Sequence, residues 1–241
     1  MIEHTAALFT LRASTAALAQ GIDAERWTDA DVRAPSLLPG WTRAHVLSHI
    51  ARNADGITRT IAGALRGEIV ARYPQGRSGR DADIEAGAMR GSADLLADVR
   101  DSSERLDRVF AAVADVGGWD LPTEDRSTGE YVLARWREVE VHRVDLGGTY
   151  TPVDWPPEFV AYLLPELART AGERASTALR IEVTPPGSVA PELVGRSWAA
   201  DGDDAAVRVQ GPDWALLAWL AGRPDGVDEH LTATPSLTPW I

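Results

Sequence analysis

The sequence predicts a mainly α-helical protein, a four-helix bundle followed by a small α+β domain. Three observations carry this expectation. Apolar residues recur at helical spacing along four long stretches before residue 150. A proline-rich segment, Pro152, Pro156 and Pro157, then follows Gly147-Gly148 and marks a boundary. Beyond it, short runs alternate apolar and polar residues with the period of a strand. The expected domains are 1–155 and 156–241.

Each element has its own signal. Over residues 3–20, Ala7, Leu8, Leu11, Ala16, Leu18 and Ala19 make one helical face, with Gly21 as the expected stop. Residues 22–41 read as a short helix and a loop that closes on the turn Pro39-Gly40. Thr42 stands where an N-cap belongs. It opens a helix to about Arg66 with Val46, Leu47, Ile50, Ile57, Ile61 and Leu65 inward. The polar, glycine-rich residues 67–82 read as a long surface connection. A third helix is expected from Ala82 to Val113 and a fourth from Thr128 to Leu146, separated by Gly117-Gly118 and Pro122. In the second domain the expectation is a helix from Pro157 to Arg174 and strands at Leu179–Val183, around Ser197-Trp198 and at Ala205–Val209. Asp203-Asp204 reads as a hairpin turn, and a last helix runs from Asp213 to Ala221.

Composition narrows the chemistry. The chain has no cysteine, which removes disulfides, thiolate metal ligands and a cysteine nucleophile. Any thiol chemistry must use a thiol from outside. A formal charge of -12 argues against nucleic-acid binding. All the basic residues are arginine, so arginine content by itself says little about anion binding. The N-terminus has neither a basic nor an apolar leader region, and no apolar run reaches membrane-spanning length. A cytoplasmic monomer is expected.

Two helical stretches carry the candidate site. Glu138 and His142 are four apart and share a helix face. On another helix His45 and His49 do the same. If the two helices pack side by side, histidine and carboxylate ligands meet in the bundle core, as in helix-bundle metal proteins. Two imidazoles and a carboxylate suit a divalent ion, zinc first, and three protein ligands leave a position open for catalysis. Nickel, cobalt, manganese and iron fit the same donors.

Leu38-Pro39-Gly40-Trp41-Thr42 followed by His49, with Arg137-Glu138 and His142, resembles the DinB-like metal-dependent four-helix bundles. His142-Arg143-Val144-Asp145-Leu146-Gly147, the C-terminal domain and Ala221-Gly222-Arg223 resemble more closely the mycothiol-dependent maleylpyruvate isomerases. That resemblance implies His49, Glu138 and His142 as metal ligands, Arg223 as a substrate-facing catalytic arginine, and mycothiol as the thiol cofactor. It also implies cis–trans isomerisation of maleylpyruvate to fumarylpyruvate by thiolate addition and elimination, a step of gentisate-type aromatic catabolism. A mycothiol S-transferase on the same scaffold, or a non-catalytic metal-binding relative, remains open.

Neighbouring residues have ordinary roles to set beside functional ones. His45 either supports a ligand or packs the helices. Asn53, one turn past His49, lines the thiol pocket or bonds a neighbouring helix. Asp145 orients the His142 ring or pairs with Arg143. Glu140 is expected in solvent, Arg135 and Arg137 in structural ion pairs, and the tryptophans, Trp41 and Trp136 included, in packing.

Overall fold

The computed structural model describes residues 3–199, 207–224 and 226–240. The chain divides into two compact units, Met1–Tyr150 and Thr151–Ile241. The expected division after 155 lies later because the 3-10 turn Pro152–Asp154 packs with the last helix of the second unit.

The first unit contains α1 (His4–Glu25), α2 (Asp29–Arg33), α3 (Arg43–Ala64), α4 (Gly76–Ala88), α5 (Ser92–Asp115) and α6 (Glu130–Asp145). Helices α1, α5, α3 and α6 form a closed ring of neighbours, each packed on the next. Leu11, Leu18, Leu47, Ile50, Ile57, Leu106, Phe110 and Trp136 fill it. Burying each such side chain contributes roughly 1.5–3 kcal/mol, which offsets the cost of ordering helices of this length.

Three local expectations are corrected. Helix α1 runs through Gly21 and ends at Arg26, in the left-handed region at φ 51°. One interior glycine costs only about 1 kcal/mol relative to alanine, and the buried Ile22 beyond it favours continuing. Gly21 instead makes room for Arg143, whose Nη2 would lie 3.0 Å from an added Cβ. The connection 67–82 is not loop throughout, since α4 begins at Gly76. The expected third helix is two, α4 and α5, broken at Met89–Gly91. Helix α4 comes so near α3 at Gly87 that a Cβ there would meet Ser48 Oγ at 2.0 Å.

Helix α3 begins with a capping box. The Thr42 side chain accepts from the His45 backbone N–H, and the His45 ring accepts from the Thr42 N–H at 3.2 Å. Helix α6 ends where Gly147 adopts φ 64°.

The second unit contains α7 (Pro157–Arg174), β1 (Leu179–Val183), β2 (Ser197–Ala199), β3 (Val207–Gly211) and α8 (Asp213–Leu220). The sheet order is β2-β1-β3. Ile181 pairs with Trp198 antiparallel and with Val209 in parallel. Strands β2 and β3 are therefore not neighbours and form no hairpin; Asp203-Asp204 and Ala205-Ala206 lie outside the described residues. Every residue of α8 is buried, which suits its nearly uninterrupted apolar sequence. Its first residue, Asp213, accepts from the backbone N–H groups of Val189, Ala190 and Trp214 at 2.7–2.9 Å and fixes the preceding loop.

Candidate metal centre

Helices α3 and α6 bring His49, Glu138 and His142 to one point. His49 Nε2 lies 2.9 Å from Glu138 Oε2 and 3.0 Å from His142 Nε2, and His142 Nε2 lies 3.2 Å from Glu138 Oε2. Both histidines are buried, and a quarter of the Glu138 side chain is exposed, so the cluster opens on the carboxylate side. Tetrahedral ligands at bonds of about 2.0 Å would stand roughly 3.3 Å apart, so the donor set fits one small divalent ion with little movement. Among the described residues this is the group with metal-ligating atoms so placed.

The ring protons follow from the partners. His142 Nδ1 donates to Asp145 Oδ2 at 2.7 Å, and Asp145 is fully buried. That bond leaves the Nε2 lone pair directed at the cluster, the arrangement a ligand needs. At His49 the partner on Nδ1 is Arg80 Nη2, 3.0 Å away on α4. A guanidinium only donates, so this contact places the neutral ring's proton on Nε2, facing Glu138. A metal on Nε2 would put the proton on Nδ1, and Arg80 would have to turn away.

The charges are strongly coupled. Burial, together with the neighbouring His142, drives His49 down to about 4. Burial works to raise Glu138, but the hydrogen bonds and charges of His142 and His49 outweigh it and hold the carboxyl well below its usual range. Burial opposes protonation of His142 too, yet the hydrogen bonds to Asp145 and Glu138 raise it. A carboxyl held toward its ionised form against two imidazoles suits a cation at that point.

Below the cluster, one turn along both helices, lies a second polar layer. Arg135 Nη1 donates to Ile50 O and to Asn53 Oδ1, both at 2.9 Å. Asn53 thus bonds a neighbouring helix, with its carbonyl oxygen engaged by Arg135. Arg135 is 1% exposed, and in place of the expected structural ion pair its Nη1 is engaged by these two neutral acceptors.

His45 stands apart from the cluster. Its Nδ1 serves the capping box, and its Nε2 lies 3.2 Å from Glu85. Trp41 is half-buried, with its ring centroid 5.6 Å from that of His49. Glu140 is not solvated; it is 1% exposed and accepts from the Tyr150 hydroxyl at 2.6 Å. Arg223 Nη1 donates to Ala221 O at 2.6 Å in the second unit, at the carbonyl end of α8. Sequence reasoning missed Arg80 and the burial of Glu140. Helix α4 has only Ile84, Gly87 and Ala88 buried, too short a stripe to signal a helix, and Glu140 is Glu138 shifted by two.

Comparison with known proteins agrees with this architecture. Residues 11–147 match the family model described as the mycothiol maleylpyruvate isomerase N-terminal domain. Comparison with curated protein sequences gives no match. The crystal structure of the mycothiol-dependent maleylpyruvate isomerase is similar in fold, with a TM-score of 0.80 at 24% identity over 98% of this chain and 97% of that one. A histidine-to-alanine variant of that enzyme gives the same figures. The family match spans more than half of the chain and contains all three residues of the cluster. The chain belongs to the mycothiol maleylpyruvate isomerase N-terminal domain family.

Proposed function

We propose that this protein is a metal- and mycothiol-dependent enzyme that converts maleylpyruvate to fumarylpyruvate by cis–trans isomerisation. The observation that carries the reading is the convergence of His49 Nε2, His142 Nε2 and a Glu138 oxygen within hydrogen-bonding distance of each other, inside a bundle of this family. These three residues are the proposed ligands, and zinc is the first choice of ion for two imidazoles and a carboxylate. A cation held there lowers the pKa of a thiol that reaches it and keeps it as the thiolate, the form that adds to an activated double bond.

The protein's own groups have separable tasks. Asp145 fixes the His142 tautomer. The buried rings of His49 and His142 would keep water from one side of an ion held there, while the more exposed Glu138 side would leave room for further ligands. Arg223 is proposed to meet the negative charge of the substrate, for which a guanidinium fork is well shaped. An outside thiol fits a chain without cysteine. A soluble site of this kind is expected in the cytoplasm; no helix among the described residues is long and apolar enough to cross a membrane.

The test is ultraviolet monitoring of maleylpyruvate with the metal-loaded protein, with and without mycothiol. Thiol-dependent formation of fumarylpyruvate, lost in His49→Ala, is the expected result. A stable thioether between mycothiol and an electrophile, with no fumarylpyruvate, would replace the isomerase by an S-transferase. A folded, metal-loaded protein inert in both assays would remove the enzymatic reading.

A further inference from the structure

The first unit contains a cleft outside the His49–Glu138–His142 cluster. Between α1 and α5 lies a cleft of about 620 Å³, a size typical of pockets for small organic ligands. Its apolar wall is made by Leu11, Val99, Leu106 and Phe110, all buried in the bundle. Arg135 reaches the same cleft from α6. Its Nη1 is engaged by Ile50 and Asn53, but its Nη2 is buried with no acceptor among the described residues.

A buried charged donor without an acceptor is costly to keep, more so than a neutral one. Arg135 stays a cation at neutral pH, since burial brings it down only to about 10. The groups that help hold its charge are Glu138, Tyr73 and Asp55, none of which lines the cleft. The acids that do line it are directed to other arginines. Asp107 lies 2.6 Å from Arg12, and Glu104 lies 4.0 Å from Arg108. The cleft therefore offers a greasy wall, the exposed arginines Arg12, Arg100 and Arg108, and one buried cation, Arg135, whose Nη2 lacks an acceptor among the described residues.

We propose that the α1–α5 cleft binds a small amphiphilic monoanion, with its apolar body on Leu11, Val99, Leu106 and Phe110 and its carboxylate or sulfonate on Arg135. This site is separate from the His49–Glu138–His142 cluster and does not depend on the isomerase reading. It is nonetheless wired to the cluster. Arg135 is three residues from Glu138, and its other bonds hold Ile50 and Asn53, one and four residues past His49. An anion drawing on Nη2 would pull on both helices that carry the metal ligands.

The test is fluorescence titration of the full chain with 8-anilinonaphthalene-1-sulfonate and with its uncharged analogue N-phenyl-1-naphthylamine. Saturable binding of one probe per chain is expected, with the anion preferred. Arg135→Met should weaken the anion at least about tenfold, the worth of a hydrogen bond to a charged group, and leave the neutral probe unchanged. Ala16→Trp, at an exposed position on the cleft wall, should weaken both probes and leave the fold intact. An anion preference that survives Arg135→Met overturns the proposal. So does unchanged binding in Ala16→Trp, which decides the location even where the arginine variant fails to fold.

Discussion

Helix α6 carries two glutamates two residues apart, Glu138 partly exposed and Glu140 buried, and their fates are opposite. Glu138 faces α3 and meets two imidazoles, which hold it ionised well below the usual carboxylate range. Glu140 faces α1 and the chain beyond α6. There burial dominates and raises its pKa, against hydrogen bonds from Ser14 and the Tyr150 hydroxyl and the charge of Arg143. Burial acts on both carboxyls in the same direction; the partners decide the sign. The α3 side of the helix gathers charge at a point, and the α1 side holds one buried acid between Ser14, the Tyr150 hydroxyl and Arg143. That difference separates a carboxylate placed to hold a cation from a packed one better than sequence position does.

The sharpest way to break the comparison is to remove each acid. Glu138→Gln or His49→Ala is expected to lower bound metal from one equivalent to nearly none, measured by elemental analysis after dialysis. Glu140→Gln should retain the full equivalent. Metal retained by Glu138→Gln and lost from Glu140→Gln would invert the assignment of the two sides. A smaller effect is expected from Asp145→Asn. An amide that turns its NH2 toward His142 Nδ1 no longer accepts the ring proton, so the ligand tautomer is less well fixed and affinity should fall about 10- to 100-fold. A competition titration with a chelating dye measures it, and an unchanged affinity would show that Asp145 does not orient the ring.

The Glu138 half of this contrast could be read before the structure. The spacing of Glu138 and His142 on one helix face and the Pro-Gly turn before Thr42 placed both motifs on helices, and the packing of α3 beside α6 brings the three side chains together. The choice between His45 and His49 was not legible from spacing, because both occupy the same face. The structure separates them by partners. His45 closes the helix cap, a role open to many residue types, whereas His49 points to α6. Glu140 failed because an i, i+2 rule assumes that the opposite face of a helix meets water, and in a four-helix ring α6 has neighbours on two sides. In the second unit, alternation marked the strands but not their partners. Period two says which face a residue takes, and it is silent on whether β3 joins β2 or β1.

Arg80 sharpens the α3 side further. Its guanidinium donates to the nitrogen of His49 that must carry a proton when the other nitrogen binds a cation, and its charge adds to that of the ion. Arg80→Met removes both obstacles and is expected to tighten metal binding by roughly three- to tenfold, within the range of a partly screened charge at this distance. Weaker binding in the variant would mean instead that Arg80 supports the ligand ring.

The smallest expected effect tests the α1 side, as a slope. The Glu140 carboxyl has a folded pKa above its ordinary value of 4.5, so the folded protein keeps a proton that the unfolded chain has released. Across that window the folded state binds more protons, and stability from this group falls as pH rises; above the folded pKa the penalty is complete and constant. Glu140→Gln carries no such penalty and still accepts from the Tyr150 hydroxyl. The difference in unfolding free energy, variant minus parent, should therefore grow as pH rises from 4.5 and then level off. Urea unfolding in the presence of a chelator, at several pH values, isolates it from the metal. A difference that stays flat would mean that hydrogen bonds from Tyr150 and Ser14 offset the burial fully, and one that falls would place Glu140 in the same class as Glu138.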